Sequence, residues 1–179
     1  MSGSSSQLVG RYRRSRRSQR VLTSETTKIT DGRVSSGRFA IATHALALLA
    51  ENAEGYASEH VARSINTHPV FLRRVMAKLT KAGLVEAREG RGGGYRLARP
   101  AKRISLGEIY EATEPDGAIG KSPCEPNAKC LIGAGIQTAF DDAVRIANEG
   151  LIRGLSRQTV ADISARAQKI GRAKRAKSS

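Results

Sequence analysis

The sequence predicts a mainly α-helical fold, in which a small helical domain carrying a two-stranded hairpin is followed by one long C-terminal helix. Three observations predict it. Apolar residues recur at helical spacing in three successive segments between residues 35 and 81. Two short alternating segments around a glycine-rich turn follow at 84–97. A later stretch, 133–153, runs for several turns with its apolar residues on one side.

Order begins near Ser35. Phe39, Ala42, Leu46 and Leu49 are three or four residues apart, giving a first helix that Gly55 is expected to end. Ser58 is a candidate N-cap for a short second helix with Val61, Ala62 and Ile65 inward. Asn66, Thr67 and His68 form a tight turn, and Pro69 opens a third helix where its missing N–H costs nothing. In that helix, 69–81, Leu72, Val75, Met76 and Leu79 face the core, while Arg73, Arg74, Lys78 and Lys81 lie off the apolar stripe. Gly83 closes it. Leu84–Arg88 and Tyr95–Leu97 read as the strands of the hairpin. Beyond Pro100, Ser105 with Glu108 matches a capping box and Ile104 with Ile109 a hydrophobic staple, so a helix starts at Ser105 and stops before Pro115. Residues 115–132 are a loop holding Cys124 and Cys130. Ile136, Phe140, Ala143, Ala147 and Leu151 define the long helix, and a short helix is expected over 156–163. The division is therefore a basic disordered extension (1–34), the hairpin-bearing domain (35–103), a capped helix with its cysteine loop (104–132), the long-helix region (133–163) and a basic disordered tail (164–179).

Composition narrows the function. With aromatics at 4% and no Trp, Leu, Ile, Val and Ala must build the core. The longest apolar run, Ala45 to Ala50, is far too short to span a bilayer, and no apolar run follows the N-terminal arginines as in a secretory signal. A cytoplasmic protein without a membrane partner is expected. The net charge of +15 is concentrated: residues 1–34 carry +6, 164–179 carry +6 and 58–103 carry +8. A concentrated basic field attracts a polyanion and gains free energy from released counterions, so nucleic acid leads an anionic membrane as partner.

Helix, short helix, tight turn, basic helix and hairpin, in that order, spell a winged helix-turn-helix. Such a unit lays one helix in the major groove, where base edges are distinguishable. Thr67, His68, Arg73, Arg74 and Lys78 are then candidate contacts to double-stranded DNA, against the plain alternative of a solvated helix face. Arg91, Gly92 and Gly93 at the hairpin tip are candidates for the narrow minor groove, against a merely flexible turn. The glycine run lacks the strand-then-helix setting of a dinucleotide loop. No nucleophile–base pairing or spaced carboxylate pair suggests an enzyme. An architectural DNA-coating protein driven by basic tails is the alternative to a sequence-specific regulator.

Gly37-Arg38-Phe39-Ala40, the run Leu72 through Leu79, Ala82-Gly83-Leu84-Val85 and Gly92-Gly93-Gly94-Tyr95-Arg96-Leu97-Ala98 together resemble the Rrf2 family of bacterial winged-helix regulators over 35–163. The resemblance implies a homodimer joined through 133–153, a palindromic operator, helix 69–81 in the major groove and a wing led by Arg91 in the minor groove; sequence-specific control of transcription, as a repressor, is the expected function. One departure concerns the loop. Cluster-binding relatives carry three cysteines there, whereas this chain has Cys124 and Cys130, with Ile136 six residues further on, and His44, His60 and His68 lie in the DNA-binding half. An iron–sulfur cluster is disfavoured and a structural zinc site would lack ligands, so no cofactor or metal is expected. A redox-sensing thiol pair beside Lys121 and Lys129, answering an oxidant or other effector, and two ordinary reduced cysteines both fit the spacing. The other departure is the extension 1–34, either a DNA-clamping arm or a start site placed too far upstream.

Overall fold

The computed structural model describes residues 37–90, 93–117, 119 and 124–178. Helix α1 (Arg38–Leu49) buries Ala42, Ala45, Leu46 and Leu49. It ends at Leu49 rather than at Gly55, because Asn52 organises a separate turn: its side-chain amide donates to the Gly55 carbonyl and its Oδ1 accepts from the Glu54 N–H. Gly55 (φ 81°) then leads into β1 (Tyr56–Ala57), a short strand absent from the sequence reading. Helix α2 (Ser58–Ile65) follows directly. Its N-cap is Ala57, not Ser58, since Ala57 is extended and paired with Gly94, which pushes the first helical position to Ser58.

Helix α3 (Pro69–Lys81) buries Leu72, Val75, Met76 and Leu79, the expected stripe. Each such side chain taken fully from water stabilises the fold by about 1.5–3 kcal/mol, so this face anchors the helix. Strands β2 (Val85–Arg88) and β3 (Gly94–Leu97) form the hairpin, paired from Val85 with Leu97 to Arg88 with Gly94. The sheet is antiparallel in the order β1-β3-β2, so the wing has three strands where two were expected.

A 3₁₀ turn at Ala101–Arg103 leads to α4 (Leu106–Thr113). The capping box is present: Ser105 Oγ accepts from the Glu108 N–H, and the Glu108 carboxylate accepts from the Ser105 N–H. Ile104 and Ile109 are both fully buried. Helix α5 (Leu131–Leu155) is 25 residues long and buries none of them in this chain. On one side it meets α4, where Tyr110 Oη donates to Asn148 Oδ1 and Gly107 lies against Ser156.

The C-terminal segment corrects the sequence reading. Instead of a short helix over 156–163 and a disordered tail from 164, one helix, α6, runs from Val160 to Ala176. Thr159 and Asp162 form a second capping box, Val160 is 1% exposed, and the Ser164 hydroxyl and Gln168 amide both bond to the Glu51 carboxylate. Alanine-rich sequence propagates a helix well once an end is fixed this way. Among the described residues no helix is long and apolar enough to cross a membrane.

Candidate nucleic-acid interface

Three elements converge on one cleft of about 640 Å³: the start of α2 (Ser58, Glu59), the start of α3 (Pro69, Arg73) and the hairpin (Ala87 to Gly90, Gly93 to Tyr95). The turn before α3 is built locally. Asn66 takes the left-handed conformation (φ 56°), which Asn tolerates, and the Thr67 N–H donates to the Ala62 carbonyl. His68 is the N-cap, its Nδ1 accepting from the Val70 N–H at 3.3 Å. Pro69 at the first position has no N–H to leave unsatisfied.

This geometry sorts the predicted residues. Arg73 and Arg74 are exposed on α3, and Arg73 Nε lies 3.4 Å from the Pro69 carbonyl oxygen, which holds the guanidinium toward the cleft. His68 is exposed at the helix start and Thr67 is half-buried behind it. Lys78 points elsewhere. Its Nζ is 3.3 Å from the Thr113 carbonyl oxygen, at the C-terminal end of α4. A cation there offsets the negative end of the helix dipole. Gly93 closes the hairpin turn through its N–H to the Gly90 carbonyl at 2.9 Å. Arg91 and Gly92 lie outside the described residues, as do Lys121 and the extension 1–34.

The sequence reading missed four contributors to this surface. Glu59 and Arg88 line the cleft, Ser58 lines it as well as opening α2, and Val70 stands 43% exposed on the first turn of α3. An exposed β-branched residue at that point suits contact with a thymine methyl group. Periodicity alone marks Val70 only as a position off the core stripe.

At the same end of α4, Arg38 of α1 grips Glu114, with Nη2 to Oε2 at 2.8 Å and Nε to Oε1 at 3.4 Å. Thr113 and Glu114 therefore tie α3 and α1 to the point where the cysteine loop begins. Cys124 and Cys130 are both exposed, and Cys130 is the residue from which α5 starts. Among the described residues no three His, Cys, Asp or Glu side chains come together as a metal site. With two cysteines in the chain, the donors present do not fit an iron–sulfur cluster.

Comparison with known proteins agrees with this architecture. The Rrf2 family model, described as an iron-dependent transcriptional regulator, matches residues 35–166. YwnA of Bacillus subtilis (strain 168), named as an HTH-type transcriptional regulator, is 33% identical over 128 residues, 72% of this chain and 95% of that protein. The HTH-type transcriptional repressor NsrR of Streptomyces coelicolor is 28% identical over 124 residues, 67% of this chain and 78% of its own length. A solved transcriptional regulator from Lactobacillus plantarum superposes with a TM-score of 0.61 at 25% identity, covering 74% of this chain and 90% of that one. A solved structure described as a DNA-binding protein gives 0.56 at 31% identity, covering 70% and 97% respectively. With its winged helix-turn-helix, its long α5 and this match over most of its length, the chain belongs to the Rrf2 family of DNA-binding transcriptional regulators.

Proposed function

We propose that this protein is a cytoplasmic, sequence-specific repressor that binds a palindromic operator as a homodimer. The observation that carries the reading is the cleft in which Arg73, Glu59 and Arg88 from three separate elements face one space. Helix α3 lies in the major groove, with Arg73 and Arg74 on guanine edges or phosphates and His68 and Thr67 at its leading end. The hairpin, with Arg91, Gly92 and Gly93 at its tip, follows the adjacent minor groove. Lys78, held at Thr113, acts within the protein rather than on DNA.

The dimer reading rests on α5. Ile132, Ile136, Phe140, Ile146 and Leu151 are 69%, 48%, 41%, 60% and 41% exposed. A helix about 37 Å long with such a face gains by meeting a second copy of itself. The loop 115–132 would carry the signal. An effector, or oxidation of Cys124 and Cys130, would act at Thr113 and Glu114 and so reach α3 through Lys78 and α1 through Arg38.

The test combines mass and binding. Wild-type protein should sediment as a dimer and prefer a palindrome selected from random duplexes over scrambled DNA at moderate salt. Phe140→Asp should sediment as a monomer and lose that preference. A wild-type monomer that discriminates equally well would refute the dimer, and equal affinity for random and selected DNA would favour an architectural coating role.

A further inference from the structure

The cleft leaves α6 unused, yet the C-terminal part of this helix and the residues just after it are strongly basic. Residues 164–178 carry six Lys or Arg and no acid. Arg166, Lys169, Arg172 and Arg175 recur at every third position, and all are exposed. Residues three apart are neighbours on a helix surface, so these four form a basic ridge, which winds about half a turn round the helix from Arg166 to Arg175.

The helix is anchored near its start, and the anchor stands beside the wing. Ser164 and Gln168 bond to Glu51, and Arg172 and Arg175 border a small hollow with that same carboxylate. Glu51 is three residues before Glu54, whose carboxylate lies 3.5 Å from Nη2 of Arg88 on β2. It is four residues before Gly55, which is packed against the Tyr95 carbonyl of β3. Three residues of chain span at most about 11 Å, so the basic ridge begins close to the wing. From Gln168 to Ala176 the helix then rises by about 12 Å.

We infer that α6 is a second, sequence-independent DNA-contacting surface, on which Lys169, Arg172 and Arg175 take phosphates of the duplex flanking the segment gripped by the wing. This rests on the DNA-binding reading above and extends the footprint beyond the recognition cleft. Duplex DNA presents a negative charge about every 1.7 Å along its axis, enough for several phosphates to face the ridge. A lipid surface fits less well. Ile170 is the one large hydrophobic side chain of α6 that is substantially exposed, at 50%, which gives no apolar face to insert.

The experiment uses the full chain and a 40-base-pair duplex of random sequence, titrated over a series of salt concentrations. Lys169→Ala, Arg172→Ala and Arg175→Ala are combined. Alanine preserves helix propensity, and the Ser164 and Gln168 bonds to Glu51 are retained, while Arg172→Ala also removes the bond from Arg172 to Gln168 Oε1 at 3.4 Å. The slope of log K against log salt should become shallower by about 2–3, close to 0.9 per lost phosphate contact. Arg172→Lys with Arg175→Lys should keep the wild-type slope, which separates charge from folding. A photoreactive benzophenone residue replacing Ala173 should cross-link to the duplex. An unchanged slope without cross-linking overturns the inference, as does loss of binding to anionic vesicles in the triple variant while its DNA slope is unaltered. If the wild-type protein binds no duplex even at low salt, the DNA-binding reading fails first. If only Arg73→Ala weakens binding, that reading stands and this one falls.

Discussion

Gly94→Ala tests whether the third strand sets the wing. A Cβ added at Gly94 would lie 2.1 Å from the Tyr56 carbonyl oxygen, 2.7 Å from its carbon and 2.8 Å from the Ala57 Cα. All three are backbone atoms, so no side chain can swing aside, and β1 must separate from β3. That strains the pairing of Tyr56 with Tyr95 and of Ala57 with Gly94. Overpacking of this kind costs about 1–3 kcal/mol. For a chain of this size each kcal/mol lowers Tm by about 2–4 °C, so a drop of about 2–12 °C is expected. The comparison is Gly83→Ala. Gly83 has φ 68° with nothing within 4 Å of its added Cβ, so only the left-handed backbone is strained, at about 1–2 kcal/mol. Calorimetry should show both variants destabilised. Anisotropy titration with operator DNA, well below either Tm, should show lost affinity in Gly94→Ala alone, because only that change moves the hairpin relative to α2. Unaltered Tm and affinity in Gly94→Ala would refute the close approach of β1. Equal affinity losses in both variants would refute the link between the wing's position and binding.

Arg73→Ala and Arg74→Ala should each weaken operator binding by about 1–3 kcal/mol if bidentate to a base, with circular dichroism unchanged; full affinity in both would remove α3 from the interface. Hydrogen bonds from Ser164 and Gln168 hold the Glu51 carboxyl below its ordinary value of 4.5. The stability this gives is present above pH 4.5 and is lost as pH falls through the lower folded value, so amide exchange in α6 should accelerate there. Glu51→Gln should remove that acid dependence, and an identical pH profile would show that the carboxylate is not the anchor. Mild oxidant should lower operator affinity in the wild type but not in Cys124→Ser; an unaltered thiol count and affinity after oxidation would make both cysteines bystanders.

The parts legible in the sequence are those encoded within a few residues. The buried stripe of α3 follows from spacing alone, and the capping box at Ser105 and Glu108 is complete within four residues. The illegible parts depend on distant partners. Strand β1 is two residues long and exists because Gly94 lets a backbone approach from 37 positions away. Helix α6 turns small residues inward, such as Ser164 at 7% exposure, and is held by Glu51, 113 residues earlier in the chain, so no strong apolar period announces it. Lys78 shares the off-stripe position of Arg74, and only the placement of α4 reveals that a carbonyl oxygen holds it. The cleft itself joins three elements, of which periodicity marks the arginines on one.

On the proposed function, α3 and the wing read a specific palindrome as a dimer. Selection of binding sites from a random duplex library with wild-type protein, followed by sequencing, tests it most directly. An inverted repeat whose half-site centres lie about 10–10.5 base pairs apart or a multiple of that should be enriched, with no enrichment for the combined Arg73→Ala and Arg74→Ala variant. Enrichment of no sequence by the wild type, or of the same sequence by both proteins, would contradict it.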